Sequence, residues 1–208
     1  TCKNQEKLNE KSVCRPIDPY GASKLAQEKV AEYFIEKDRM PIVILRPPTV
    51  FGPRDMEILK LFKIIKNRFF PIRSNKKCIN YLYIDNLIDA SLLILEKGSI
   101  GEVYLVDNGE YCSLNHVIST ISDSLNVQMF PFYLPKIFME LTGYFFELAG
   151  KIFGFQPPFK RNTTQWMTEG LWSCDISKIR NLGYSPRISI DKGLKLTAKF
   201  YLANKVLD

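Results

Sequence analysis

The 208-residue sequence predicts an α/β protein, a parallel sheet whose strands alternate with crossover helices. Three observations carry that expectation. The run Ile42-Val43-Ile44-Leu45 is continuously apolar, as suits a strand covered on both faces. Helical patterns flank it, over residues 20–37 and 56–66. Beyond them, strand and helix patterns keep alternating as far as residue 125.

Each element has a local reason. Residues 1–19 are polar, end on Pro16 and Pro19, and read as a loop into the first helix. That helix is expected to turn Leu25, Val30, Phe34 and Ile35 inward, with Gln27, Glu28, Glu32, Glu36 and Lys37 outward. Pro41 breaks the chain before the strand over 42–45. Residues 56–66 form an amphipathic helix, and 78–84 alternate like a half-buried strand. Asp85 is the expected N-cap of a helix through Leu95, closed by Gly98. A strand over 102–106 follows, with Asp107-Asn108-Gly109 as its turn, and Ser113 caps a helix over 114–125. Past Val127 the texture changes. Residues 134–155 read as a strongly apolar helix punctuated by Lys136, Glu140, Glu147 and Lys151. It suits a core-facing helix, or the wall of an apolar pocket, or a membrane surface.

Composition narrows the function classes. Five cysteines, Cys2, Cys14, Cys78, Cys112 and Cys174, are odd in number and scattered, with His116 as the lone histidine. They read as reduced cytosolic thiols, with no metal site expected. The chain shows no signal segment and no apolar run of membrane-spanning length, so a cytoplasmic setting is expected, with room for peripheral membrane contact. The net charge of +7 gathers in Lys60, Lys63, Lys66, Arg68, Arg73, Lys76 and Lys77. Helical spacing with Leu59, Phe62 and Ile65 makes this a solvated helix face, and no nucleic-acid-binding signature accompanies it. A small-molecule substrate is the expected partner, nucleic acid is not, and a homo-oligomer stays open. His116, Trp166 and Trp172 read as structural.

The chemistry concentrates in Tyr20-Gly21-Ala22-Ser23-Lys24. Residues four apart share a helix face, so phenol and ammonium can meet one pocket. A free phenol titrates near pH 10, and a neighbouring cation favours its ionised form. A Pro-rich turn follows the next strand, Leu45-Arg46-Pro47-Pro48-Thr49-Val50-Phe51-Gly52-Pro53. Its place is beyond the C-terminal end of a strand, where open parallel sheets bind ligands.

With these motifs, and with Asn80-Tyr81-Leu82-Tyr83-Ile84-Asp85-Asn86-Leu87 and the closing stretch Trp172 to Lys178 with Leu182 to Pro186, the sequence resembles the extended short-chain dehydrogenase/reductase family. Within it, the likeness is to the 3-beta-hydroxysteroid dehydrogenase-like and NAD-dependent epimerase/dehydratase-like branch. The resemblance implies an incomplete Rossmann-type sheet plus a smaller, mostly helical substrate lobe. Residues 1–126 would hold the C-terminal part of the dinucleotide domain, with substrate-lobe segments interleaved at about 53–84, and 127–208 the substrate-binding lobe. It implies NAD or NADP as cofactor, Tyr20 as acid–base catalyst, and Lys24 as the cation beside it that also holds the nicotinamide ribose. Pro47, Pro48, Thr49 and Val50 would form the turn that meets the nicotinamide carboxamide. Arg54 and Asp55 face substrate or pair on the surface.

The family's Gly-x-x-Gly-x-x-Gly turn is not among the 11 glycines; Gly98-x-x-Gly101 comes nearest, with Tyr104 in the third place. The expectation is therefore the C-terminal part of a larger enzyme, inactive alone, weak in dinucleotide binding, and marginally stable or paired through an uncovered sheet edge. The leading functional expectation is an oxidoreductase acting on a secondary alcohol or ketone of a hydrophobic, sterol-like molecule. A nucleotide-sugar epimerase or dehydratase is the alternative, and a non-catalytic cofactor-bound subunit a third.

Overall fold

The computed structural model of the chain describes residues 7–72, 78–128, 130–133 and 174–207. Helix α1 (Pro19–Asp38) starts where the sequence supplies a cap: extended Asp18 accepts the Gly21 N–H on its Oδ1 at 2.6 Å. Pro19 opens the helix, where its missing N–H is no loss. Arg39, left-handed at φ 55°, ends it. No α1 residue is fully buried. Leu25 and Ile35 are half-buried as expected, whereas Val30 and Phe34 are 56% and 38% exposed. Helix geometry explains the difference: Val30 and Phe34 lie about 140° and about 180° around the axis from Leu25. The half-buried residues Gly21, Leu25, Glu28, Ala31, Glu32 and Ile35 form one arc instead.

Strand β1 (Ile44–Arg46) sits slightly later than the apolar run suggested, and pairs in parallel with β6 (Val103–Leu105). After Pro47-Pro48 the chain re-enters a ladder as β2 (Thr49–Phe51), now parallel to β5 (Tyr81–Tyr83). Neither proline has an N–H to donate, so the β6 ladder cannot run on through them. Thr49 and Val50, expected within the turn, are thus its exit strand.

Helix α2 (Met56–Lys66) is capped by the Asp55 carboxylate on the Glu57 N–H, and buries Ile58, Leu59, Phe62 and Ile65 at helical spacing. Strands β3 (Phe69–Ile72) and β8 (Phe130–Tyr133) pair in parallel, while β4 (Cys78–Ile79) and β7 (Cys112–Ser113) are antiparallel. The single strand expected over 78–84 is interrupted at Asn80, whose buried amide turns to Asp107 Oδ2 at 3.1 Å. Helix α3 (Ile84–Lys97) begins one residue before the expected cap. Tyr83 is its N-cap, and Asp85 sits in the first turn, favourable to the helix dipole rather than capping it. Gly98 ends α3, as expected. Ser113 caps α4 (Leu114–Leu125) by accepting the His116 N–H, also as expected.

Two helices complete the described fold, the short α5 (Ser177–Asn181) and the longer α6 (Ile190–Ala203). Helix α6 lays Ile190, Leu194, Ala198 and Tyr201 against Phe51, Phe62, Ile65, Val117 and Ile121 in one apolar core. A second core joins Leu82, Ala90, Ile94, Tyr104 and Val106 to Ile176, Ile179 and Tyr184. Gly193 lets α6 approach the sheet: a methyl there would meet Tyr83 Cδ2 at 2.6 Å and Phe51 Cζ at 2.9 Å. Among the described residues no helix is long and apolar enough to cross a membrane. The helix expected over 134–155, Trp166, Trp172, and the basic residues Arg73, Lys76 and Lys77 lie outside the described residues.

Candidate functional site

The α1 face carrying Tyr20, Lys24 and Glu28 is built by four-residue spacing, each step advancing about 40° around the axis. Glu28 lies at the middle of the half-buried arc, Lys24 at its edge, and Tyr20 beyond it, 66% exposed. The Lys24 ammonium stands 5.5 Å from the Tyr20 ring centroid, within cation–π reach, and donates to Gln27 Oε1 at 3.3 Å. The Ser23 hydroxyl turns back on the Tyr20 carbonyl at 2.7 Å and is thereby engaged in the helix itself.

Glu28, expected to point outward, instead receives a fork from Arg46. Arg46 Nε donates to Oε1 and Oε2 at 3.0 and 3.1 Å, and Nη2 to Oε2 at 2.6 Å. Hydrogen bonding to Glu28 raises the Arg46 guanidinium further above its ordinary value. The same guanidinium donates to the Glu10 carbonyl at 3.3 Å, while Glu10 Oε1 accepts the Leu105 N–H of β6. Loop, helix and both paired strands therefore meet at Arg46, the last residue of β1.

Immediately beyond lie the exposed Pro47 and half-buried Pro48, leaving the C-terminal end of β1 as expected. Thr49 is exposed and Val50 half-buried at the start of β2. The chain then makes a second turn, Gly52 to Asp55, in which Arg54 adopts φ 71° and points its exposed side chain outward. Buried Tyr201 pins that turn by donating from Oη to Asp55 O at 2.7 Å and Gly52 O at 3.4 Å. Asp55 spends its carboxylate on the α2 cap rather than on a partner in the turn. His116 is remote from this constellation: its Nε2 lies 2.7 Å from Asp191 Oδ1, joining α4 to α6 at the surface. Among the described residues no cluster of three or more His, Cys, Asp or Glu could hold a metal.

The model of the NAD dependent epimerase/dehydratase family matches residues 2–107, just over half of the chain, with Tyr20, Lys24, Glu28, Arg46 and the proline turn inside the match. The chain belongs to that family. A dTDP-D-glucose 4,6-dehydratase of Dictyostelium discoideum is 36% identical over 46% of this chain and 23% of its own length. The dTDP-D-glucose 4,6-dehydratase of Mus musculus is 23% identical over 96% of this chain and 52% of its own. Among solved structures, UDP-glucuronic acid 4-epimerase from Bacillus cereus, in complex with NAD, is similar at a TM-score of 0.72 and 24% identity. That match covers 100% of this chain and 59% of the epimerase. This family member thus has the Rossmann-type α/β architecture expected of it, and spans about half the length of the mammalian relatives it matches.

The sequence placed Glu28 among the outward residues of α1 and Arg46 in the proline-turn motif, with no role for either in the site. The available signal was spacing: Glu28 continues the Tyr20–Lys24 face by one more step of four. Helical periodicity alone placed it among the outward charges, because a carboxylate is not expected inside an arc unless it is paired.

Proposed function

We propose that the intact protein is an NAD(P)-dependent nucleotide-sugar epimerase or dehydratase working in the cytoplasm, with Tyr20 as its acid–base residue. The observation that carries the reading is the Tyr20–Lys24 face of α1, tied by Glu28 and Arg46 to the end of a parallel strand. The relatives' own names, dTDP-D-glucose 4,6-dehydratase and UDP-glucuronic acid 4-epimerase, favour a nucleotide sugar over the hydrophobic, sterol-like substrate. The helix that argued for an apolar substrate lies outside the described residues.

The residues present fit the nicotinamide end of a dinucleotide. An exposed ammonium and phenol share a face, beside a proline turn at the ligand-binding end of β1. When bound, the nicotinamide supplies a reversible hydride acceptor. Tyr20 Oη takes the proton of the sugar hydroxyl as its carbon is oxidised, and returns it when the ketone is reduced. Lys24 places a positive charge beside the ring and has two further N–H donors for ribose hydroxyls beyond its bond to Gln27. Pro47 and Pro48 hold the turn rigid without claiming any ladder donor.

The test is Tyr20→Phe in the intact protein, assayed with UDP- and dTDP-hexoses. Turnover is expected to fall by about 10²-fold or more while cofactor binding persists. Full turnover by Tyr20→Phe refutes the mechanism. Saturable turnover of sterol ketones with none of nucleotide sugars reverses the substrate reading.

A further inference from the structure

We propose that the Arg46–Glu28 fork is the positioning element of this site, setting the rotation of α1 and so the direction in which Tyr20 and Lys24 point. The inference rests on the reading of Tyr20 and Lys24 given above, and gives the bonded pair Glu28 and Arg46 a positioning role, acting through α1.

A helix is ordinarily fixed about its own axis by a buried apolar stripe. Helix α1 has such a stripe in part: none of its residues is fully buried, and the half-buried Leu25, Ala31 and Ile35 share their arc with Glu28. Among the described residues, the polar side-chain contact between α1 and the strands is the Arg46–Glu28 pair. Both side chains are largely out of solvent, 21% and 19% exposed, so the pair is little screened. Its planar two-toothed geometry restrains angle as well as distance, which a single ammonium would not do.

The location converts that restraint into precision at the site. Arg46 is bonded directly to Pro47, so nothing slack intervenes between the fork and the turn. Arg46 is itself held by the Glu10 carbonyl and, through Glu10, by β6. On the helix side, Lys24 and Tyr20 lie about 6 and about 12 Å from Glu28 along the axis. A rotation of α1 by about 10° sweeps a side-chain tip at about 6 Å radius through about 1 Å. A displacement of that size in a reacting group costs up to about 10²-fold in rate.

The experiment compares Arg46→Lys, Glu28→Gln and Tyr20→Phe in the intact protein, with UDP-glucose and dTDP-glucose as substrates. Readouts are kcat, KM and the single-turnover rate of cofactor reduction, each per folded molecule as judged by circular dichroism. Arg46→Lys keeps the charge and loses the fork. It is expected to lower kcat and the single-turnover rate at least about tenfold with KM for the sugar nearly unchanged. Glu28→Gln should do the same, and the swapped pair Glu28→Arg with Arg46→Glu should recover part of the rate.

Wild-type single-turnover rates in both fork variants, with Tyr20→Phe inactive, overturn the inference and leave the site reading standing. Losses that merely track loss of folded protein make the fork structural and overturn it too. A fully active Tyr20→Phe removes the reading beneath it, and the inference with it.

Discussion

Replacing Asn86 by alanine removes a polar joint that no periodicity reveals. The side chain is fully buried in α3. Its Oδ1 accepts the Arg187 and Ile188 N–H groups at 3.0 and 3.1 Å. Its Nδ2 donates to Asn108 Oδ1 and to the Ile188 carbonyl, both at 2.7 Å. Four hydrogen bonds at about 1 kcal/mol each, net of solvation, make the loss about 4 kcal/mol, the buried Asn108 Oδ1 losing this donor. For a domain of this size that corresponds to a fall in melting temperature of about 10 °C. Urea and thermal unfolding of the intact protein measure it. Asn86→Asp separates the halves: it keeps the acceptors for both N–H groups and sets an oxygen against Asn108 Oδ1 and Ile188 O. Because Asn86 and Asn108 share a bond and the Ile188 carbonyl, their alanine variants should be less than additive by about 0.5–3 kcal/mol. An Asn86→Ala protein within about 1 kcal/mol of wild type refutes the reasoning.

Gly193→Ala gains about 1 kcal/mol of helix propensity and loses about 1–3 kcal/mol to overpacking against Tyr83 and Phe51, so net destabilisation is expected on thermal unfolding. A raised midpoint would show that α6 has room to retreat. Burial pushes the Cys112 and Cys174 thiols up to about 11, whereas unfolded thiols ionise from about pH 8.5. Between those values the folded state binds more protons, so their contribution to stability is complete at neutral pH and declines as pH rises from about 9. Urea midpoints should therefore fall across that window, less steeply in a Cys112→Ala, Cys174→Ala protein, and an equal slope in both sinks the assignment. Iodoacetamide at neutral pH should modify the exposed Cys14 before either of them, as read by peptide mass.

What could be read from the chain was whatever neighbouring residues decide. Ser113 capping α4, Gly98 ending α3 and the amphipathic α2 depend on contacts within four residues, and all three stand in the structure. The Tyr20–Lys24 face is local in the same sense. What escaped is set by residues far apart in sequence. Asp85 looked like a cap, yet Tyr83 ends β5 with Ile84 already helical, since Asn86 must enter α3 facing Asn108 and Ile188. Glu28 looked solvated because Arg46, 18 residues away, is what draws it inward. The same limit applied to Asn80, whose pull toward Asp107 splits an otherwise alternating strand.

The proline turn shows why local and distant interactions have to be combined at the site. On its entry side, the Arg46 carbonyl takes the Val106 N–H at 3.3 Å, the last bond of the β6 ladder. On its exit side, Thr49 and Val50 are in register with Tyr81 and Leu82, and Phe51 is buried under α6. The turn is thus fastened to two different strands and, through Phe51 and Tyr201, to the α6 core, so its own position is over-determined. Helix α1 is less so, its contact face being half-buried and shared with Glu28. The separation between turn and phenol therefore depends on the less constrained partner, and Arg46 is the shortest link between them. Variants of the α6 core should then lower the folded fraction while leaving the rate per folded molecule intact, and variants of the fork should do the reverse. Equal effects of both on rate would mean that α1 follows the core after all, through contacts other than Arg46 and Glu28.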